Sequence, residues 1–172
     1  MNIAPSRRSF RNQPWNRKTI LIVAALAAVW LAGIWSAQFL ELAAQHRFEN
    51  DLAERIRTEV KRDSSVLNLK SVTDFEWDHV FVFGPYTPKS RIDETLGEKW
   101  RGSAAIESDD GINLVVFTLN HRIVRYAELG RYIDFNLQPN TSGWSPQSAN
   151  FRVAVDGQRI TILANDGADS PK

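Results

Sequence analysis

The chain has 172 residues, with 21 Lys and Arg against 20 Asp and Glu and a formal net charge of +1. It contains no Cys, which excludes disulfide frameworks, Cys-ligated zinc sites, Cys nucleophiles and lipidation of an N-terminal Cys. With 43% apolar and 24% charged residues, the chain has the composition of a folded protein. Positions 1–18 carry five basic side chains and no acid, 19–40 carry no charge, and 41–172 are net acidic.

The uncharged segment 19–40 predicts a transmembrane helix. Its 22 residues form a helix of roughly 33 Å at ~1.5 Å per residue, enough to cross a hydrocarbon core of about 30 Å. A helix also satisfies its own backbone hydrogen bonds in lipid. Trp15 before the segment and Trp35 near its end are typical interfacial anchors.

Two other interpretations of the N-terminus stay open. A cleaved signal peptide has an apolar core of about 7–15 residues and small residues at the cleavage site. The segment here is longer, and positions 35–37 and 42–44 each begin with a bulky residue. Positions 6–10 read S-R-R-S-F, like the start of a twin-arginine export signal, but Arg11 stands where an apolar residue is usual. A basic cytoplasmic flank is therefore the favoured interpretation of 1–18.

The flanking charges predict the orientation. Five basic residues precede the segment, and only Arg47 and Arg55 fall within the 15 residues after it. The positive-inside rule then keeps the N-terminus in the cytoplasm and exports residues 41–172.

Residues 41–63 predict a juxtamembrane stalk helix. Phe48, Leu52, Ile56 and Val60 recur every four residues and form one apolar stripe. The stripe packs either on its own domain, which is the favoured interpretation, or against a partner or a second copy.

Residues 64–165 predict a small domain with a mainly antiparallel sheet and one short helix, followed by a polar tail at 166–172. Residues 64–74 are a strand or an irregular link. Thr87 as N-cap, Pro88 as first residue and Gly97 as C′ residue mark the helix. The predicted strands are 77–83, 104–107, 112–118, 123–129, 151–155 and 158–163, the last two around an Asp156-Gly157 turn, with a loop at 138–150. The fold class is α+β.

No motif predicts catalysis. His46, His79 and His121 are far apart and match no metal or protease pattern. The carboxylates Glu107, Asp109 and Asp110 suit a solvated turn better than acid–base or cation chemistry. No enzyme activity, metal or cofactor is therefore predicted, and the acidic exported part gives nucleic-acid binding little support.

Aromatic side chains cluster around the strand at 77–83 and the short helix. Most of them are expected in the core, because they bury large apolar areas. Trp77, Tyr86 and Trp100 form a possible binding surface if they are exposed.

Residues 77–87 read W-D-H-V-F-V-F-G-P-Y-T, and the following helix ends at Leu96-Gly97. This stretch resembles the pattern W-D-x-V-x-V-F-x-P-Y-T/S of small uncharacterised bacterial proteins that are membrane-anchored or secreted. The resemblance implies a bacterial, extracytoplasmic setting and brings no activity. A short helix ending in Leu-Gly before a meander is also similar to the small lipoprotein of the outer-membrane protein assembly machinery, whose lipidated Cys this chain lacks.

These observations predict a single-pass protein of the bacterial inner membrane, held in the bilayer through 19–40, with its domain periplasmic or extracellular. The leading hypothesis is that the domain binds another protein, or a second copy, at the outer face of the membrane. Two alternatives stay open: a membrane-tethered small-ligand or cell-wall binding module, and an enzyme with an unrecognised site.

Fusions to the C-terminus test the predicted orientation. Because the positive flank keeps the N-terminus inside, alkaline phosphatase placed after residue 172 is expected to be active, and a fluorescent protein exported by the general route there is expected to be dark. An inactive phosphatase together with a bright fluorescent protein would contradict the prediction.

Overall fold

The computed structural model describes residues 17–62, 65–102 and 105–165, without the side chains of 17–19, 28, 34 and 36–39. Most of the basic tail predicted at 1–18 and the polar tail predicted at 166–172 lie outside these residues. The described elements, in chain order, are α1 Arg17–Arg62, β1 Val66–Asn68, β2 His79–Phe83, α2 Lys89–Leu96, a 3₁₀ turn Ala105–Glu107, β3 Ile112–Leu119, β4 Arg122–Gly130, β5 Ile133–Asn136, β6 Asn150–Asp156 and β7 Arg159–Leu163.

The chain divides into two compact units, residues 1–43 and residues 44–172. In the first unit, the Ile, Leu, Val and Trp side chains described between Ile20 and Leu42 are all at least 46% exposed. Among the residues that the structure describes, no helix has the length and apolar character needed to cross a membrane.

In the second unit, the apolar stripe of α1 packs on its own domain. Leu52, Ile56 and Val60 are 1%, 0% and 3% exposed, and Phe48 packs against the same cluster. This is the favoured of the two interpretations of the stripe. The helical segment from residue 44 therefore belongs to the domain, which begins some 20 residues earlier than the boundary at 64 that the sequence indicated.

The strands form two sheets, in the orders β1-β6-β7-β5 and β2-β3-β4. The α+β class with mainly antiparallel pairing is confirmed. The strands do not form one sheet: after Gly130 the chain crosses to the other sheet, where β5 pairs in parallel with β7. β5 was not predicted, and the strand predicted at 104–107 is wrong, because Ala105–Glu107 forms a 3₁₀ turn.

Two local expectations are corrected in detail. Pro88, not Thr87, is the N-cap of α2, and the Thr87 hydroxyl donates to the Gly84 carbonyl at 2.7 Å. The hairpin between β6 and β7 has Gly157-Gln158 as its loop, one residue later than predicted. Gly157 has φ 59°, and a turn with positive φ at its first central residue favours Gly there.

The three-stranded sheet has a core on each face. One cluster includes Val115 and Phe117 and lies between this sheet, the other sheet and α1. The second includes Leu114 and Val116, the neighbours of those residues along β3, and lies under α2. Successive strand residues point to opposite faces, so β3 serves both cores.

Polar side chains from α1 cover the free edge of β4. Gln45 Nε2 donates to the Tyr126 carbonyl at 2.8 Å and to Glu49 Oε1 at 3.0 Å. The Glu128 amide donates to the same Glu49 oxygen at 3.3 Å. Edge strands with unpaired backbone groups invite aggregation, and these contacts occupy two of those groups.

Burial of the Glu128 carboxyl beside this contact costs free energy of folding. Its Oε1 is buried and has no hydrogen-bond partner within the described residues. Burial raises the pKa of Glu128, the nearby Glu49 carboxylate raises it further, and His46 opposes them. The ionised form is therefore disfavoured in the folded state.

Replacing Glu128 by Gln tests this account. A raised folded pKa means that the wild-type protein loses stability as pH rises through that pKa, so E128Q is expected to be stabilising by about 1 kcal/mol at neutral pH. The gain should vanish below the ordinary Glu pKa of 4.5. Urea denaturation at a series of pH values measures it, with E94Q on the exposed side of α2 as control; an equal gain in both variants would contradict the account.

Candidate functional site

The structure does not bring the three aromatic residues of the predicted binding surface together. Trp77 is 4% exposed, in the cluster between the sheets, and Trp100 is 1% exposed, in the cluster under α2. The two indoles therefore serve cores on opposite faces of the three-stranded sheet, where each buries a large apolar area. Tyr86 alone is exposed, at 60%, so a shared aromatic groove has no basis in this fold.

The carboxylates at 107–110 have structural partners. Glu107 Oε1 accepts a hydrogen bond from the Lys89 amide at 2.6 Å and so satisfies the N-terminus of α2. Asp109 accepts from the Gly111 amide at 2.7 Å, and Asp110 pairs with Arg131. Each contact supports a turn or a helix end, as the sequence favoured. Within the described residues, no group of three or more His, Asp or Glu side chains can hold a metal ion.

One cavity is a groove of about 690 Å³, called here the α1 groove. One wall is the end of α1, and the other is formed by the tip of the β6–β7 hairpin and the residue before β5. Its lining includes Arg57, Val60, Lys61, Tyr132, Val155 and Ile160.

The α1 groove combines apolar and cationic side chains. Tyr132 and Val155 are 62% and 51% exposed, which is high for side chains of their size and character. Among the described residues, Arg57 and Lys61 are the charged residues of the lining, and it includes no described Asp or Glu. The Arg57 guanidinium lies 3.6 Å from Glu54, a loose surface contact that leaves it able to bind another anion.

A second, smaller cavity of about 230 Å³ brings two of the three histidines together. This histidine cleft lies where β2 begins, α2 ends and the β3–β4 turn projects. Its polar lining consists of His79, Thr95, Thr118, His121, Thr141 and Ser142. His46 lies elsewhere, on α1, with its Nδ1 3.1 Å from Glu49.

Asp78 organises one side of the histidine cleft. Its carboxylate accepts from the Asn120 amide at 2.7 Å and from the Thr118 hydroxyl at 3.2 Å, and lies 3.2 Å from His79 Nδ1. Burial raises the pKa of Asp78, but the hydrogen bonds from Asn120, His79 and Thr118 outweigh it, so that the pKa is lowered. Asp78 is therefore ionised at neutral pH.

Two tight turns form the rest of the cleft. Asn120 and His121 both have positive φ, 52° and 61°, as the two central residues of a type I′ hairpin turn require. Gly143, with φ 71°, brings the loop carrying Ser142 against β2. A Cβ on Gly143 would stand 3.0 Å from the Phe81 ring and 3.1 Å from the Val80 carbonyl, so a larger residue would crowd both and would be strained at this φ.

The sequence held part of the signal for this cleft. The strands predicted at 112–118 and 123–129 leave a short connection between them, and Asn120 and His121 form the turn there. The sequence did not indicate that β2 pairs with β3. This pairing places His79 opposite Thr118 and therefore beside the turn. That pairing joins segments some 40 residues apart, and no local pattern reports it.

Comparisons with known proteins add no relative. No family model matches the chain, and neither a curated protein nor a solved structure is significantly similar to it.

Replacing Asp78 by Asn tests the network around it. Because the folded pKa is lowered, the ionised carboxylate stabilises the fold above the ordinary Asp pKa of 3.8, and this contribution is lost as pH falls below it. D78N is expected to lose about 1 kcal/mol at neutral pH, a value reduced for the partial exposure of the group, and almost nothing in acid. The control is D51N, which removes only a surface ion pair with Arg55. A loss independent of pH would contradict the account.

Proposed function

We propose that this protein is a single-pass membrane protein of the bacterial inner membrane whose exported domain binds a segment of another protein through the α1 groove. The groove is the observation on which the proposal rests. It has a volume of about 690 Å³, and it presents exposed apolar side chains beside cations.

The membrane anchor is supported mainly by the sequence. Residues 19–40 carry no charge and follow five basic residues. The described apolar side chains of this segment, such as Trp30 at 72% and Trp35 at 73%, are exposed rather than packed in a core. Apolar surface of that extent needs an apolar environment, and a bilayer supplies it. The span and its orientation are part of the proposal.

A protein segment suits the α1 groove by charge and by shape. A groove of this volume accepts one or two side chains of a partner, and an exposed tyrosine is a residue type enriched in protein interfaces. With Arg57 and Lys61 as the charged residues of the described lining, the complementary segment carries an apolar anchor next to Asp or Glu.

The two alternatives each have one observation in their favour. A small-ligand module is supported by the histidine cleft rather than by the aromatic residues that the sequence indicated. An enzyme is supported by the contact between His79 and Asp78, an arrangement that can orient an imidazole. Neither accounts for the exposed apolar side chains of the α1 groove.

Site-specific photo-crosslinking in living cells tests the proposal with a matched control. A photoreactive phenylalanine analogue replaces Tyr132 in the full-length protein or, as control, Tyr86. The two tyrosines are 62% and 60% exposed, and only Tyr132 lines the groove. The proposal predicts a discrete crosslinked protein at position 132 that is absent at 86. K61E should weaken this crosslink at least fivefold, because it reverses a charge in the lining.

Three results would count against the proposal. Equal crosslinking at 132 and 86 would remove the groove from partner binding. A crosslink at 132 unaffected by K61E would remove the acidic character of the partner. A crosslink only to a second copy of the chain would replace the partner by self-association.

A further inference from the structure

The lining of the histidine cleft includes polar side chains whose hydroxyls are not used in hydrogen bonds within the described fold. Thr95, Thr141 and Ser142 line it, and within the described part of the chain none of their hydroxyls forms a hydrogen bond. A hydroxyl donates one hydrogen bond and accepts two. The cleft therefore offers both donors and acceptors at several points of its wall.

The two imidazoles add further groups that can both donate and accept hydrogen bonds. The Asp78 carboxylate contacts Nδ1 of His79, which leaves Nε2 of that ring for another partner. His121 sits at a turn position with φ 61°, where Gly would be the less strained choice. A neutral imidazole has one donor and one acceptor nitrogen, like a hydroxyl.

The electrostatics of the cleft disfavour an anion. The described residues that line it include no Lys or Arg. Asp78, directly behind His79, is an ionised carboxylate, and Thr95 and Leu96 bring the C-terminal end of α2 to the cleft, where a helix carries partial negative charge. The cleft does not suit a metal ion either, because the described residues contain no group of three His, Asp or Glu side chains that could hold one.

The apolar part of the wall and the volume limit the ligand further. Phe81 and Leu96 line the cleft beside the polar groups. The cavity of about 230 Å³ equals the space of about eight water molecules at ~30 Å³ each. We propose that the histidine cleft binds a neutral, hydroxyl-rich ligand of the size of one sugar ring, held by hydroxyls and imidazoles around an apolar face. This site is separate from the α1 groove and does not depend on its function.

The three histidines allow a direct test with an internal control. Full-length protein with ¹³C-labelled histidine, in lipid nanodiscs near neutral pH, is titrated with methyl β-D-glucoside and, separately, with inorganic phosphate. Ring resonances are assigned with H46Q, H79Q and H121Q. The proposal predicts saturable shifts of the His79 and His121 resonances with the glucoside, no shift of His46, and no comparable response to phosphate.

Variants show whether the hydroxyls bind. T141A/S142A changes two exposed loop residues and should weaken the glucoside response at least tenfold, while T58A on the exposed face of α1 leaves it unchanged. H121G keeps the turn, because Gly tolerates its backbone angles, and should also weaken the response.

Each remaining outcome overturns the proposal. Stronger shifts with phosphate would make the cleft an anion site. Equal shifts of all three histidines with the glucoside would show non-specific binding. No shift with the glucoside, or no effect of T141A/S142A on that shift, would remove the ligand from the cleft.

Discussion

The pairing of β3 with both β2 and β4 is the constraint on which the rest of the domain depends. β3 is buried on both faces over six consecutive residues, from Asn113 to Thr118. Its alternate side chains serve two cores, one shared with α1 and the four-stranded sheet and the other covered by α2. Because both cores meet at this strand, a shift of its register by one residue would exchange their side chains.

The same pairing positions the histidine cleft. β2 and β3 set His79 opposite Thr118, and the turn after β3 carries Asn120 and His121. The Asp78 carboxylate joins the start of β2 to this turn through its bond with the Asn120 amide. A single carboxylate thus fixes both the end of the hairpin and the orientation of one imidazole. The polar network around Asp78 is therefore a structural part of the domain, independently of any ligand that the cleft binds.

α1 contributes to the domain in two chemically different ways. Its apolar stripe fills the core between the sheets, while Gln45 and Glu49 on its first turns in this unit cover the edge of β4. Its last turns instead leave Arg57 and Lys61 beside exposed apolar side chains of the four-stranded sheet. The groove forms where these cations and Val60 of the stripe face the exposed side chains of Tyr132 and Val155.

Features that depend on neighbouring residues could be predicted from the amino-acid sequence. These are the division of charge along the chain, the stripe on α1, the strands β2, β3 and β4, the hairpin of β6 and β7, and the left-handed Gly97 after α2. Each of these features follows from a pattern of residue types along a short segment or from the backbone preference of a single residue, and both can be read from the local sequence. Only long-range packing places Trp77 and Trp100 in opposite cores, pairs β5 in parallel with β7, and brings His79 and His121 to the same cleft. Those outcomes depend on which distant strands pair, and that choice is made by the packing of the whole domain.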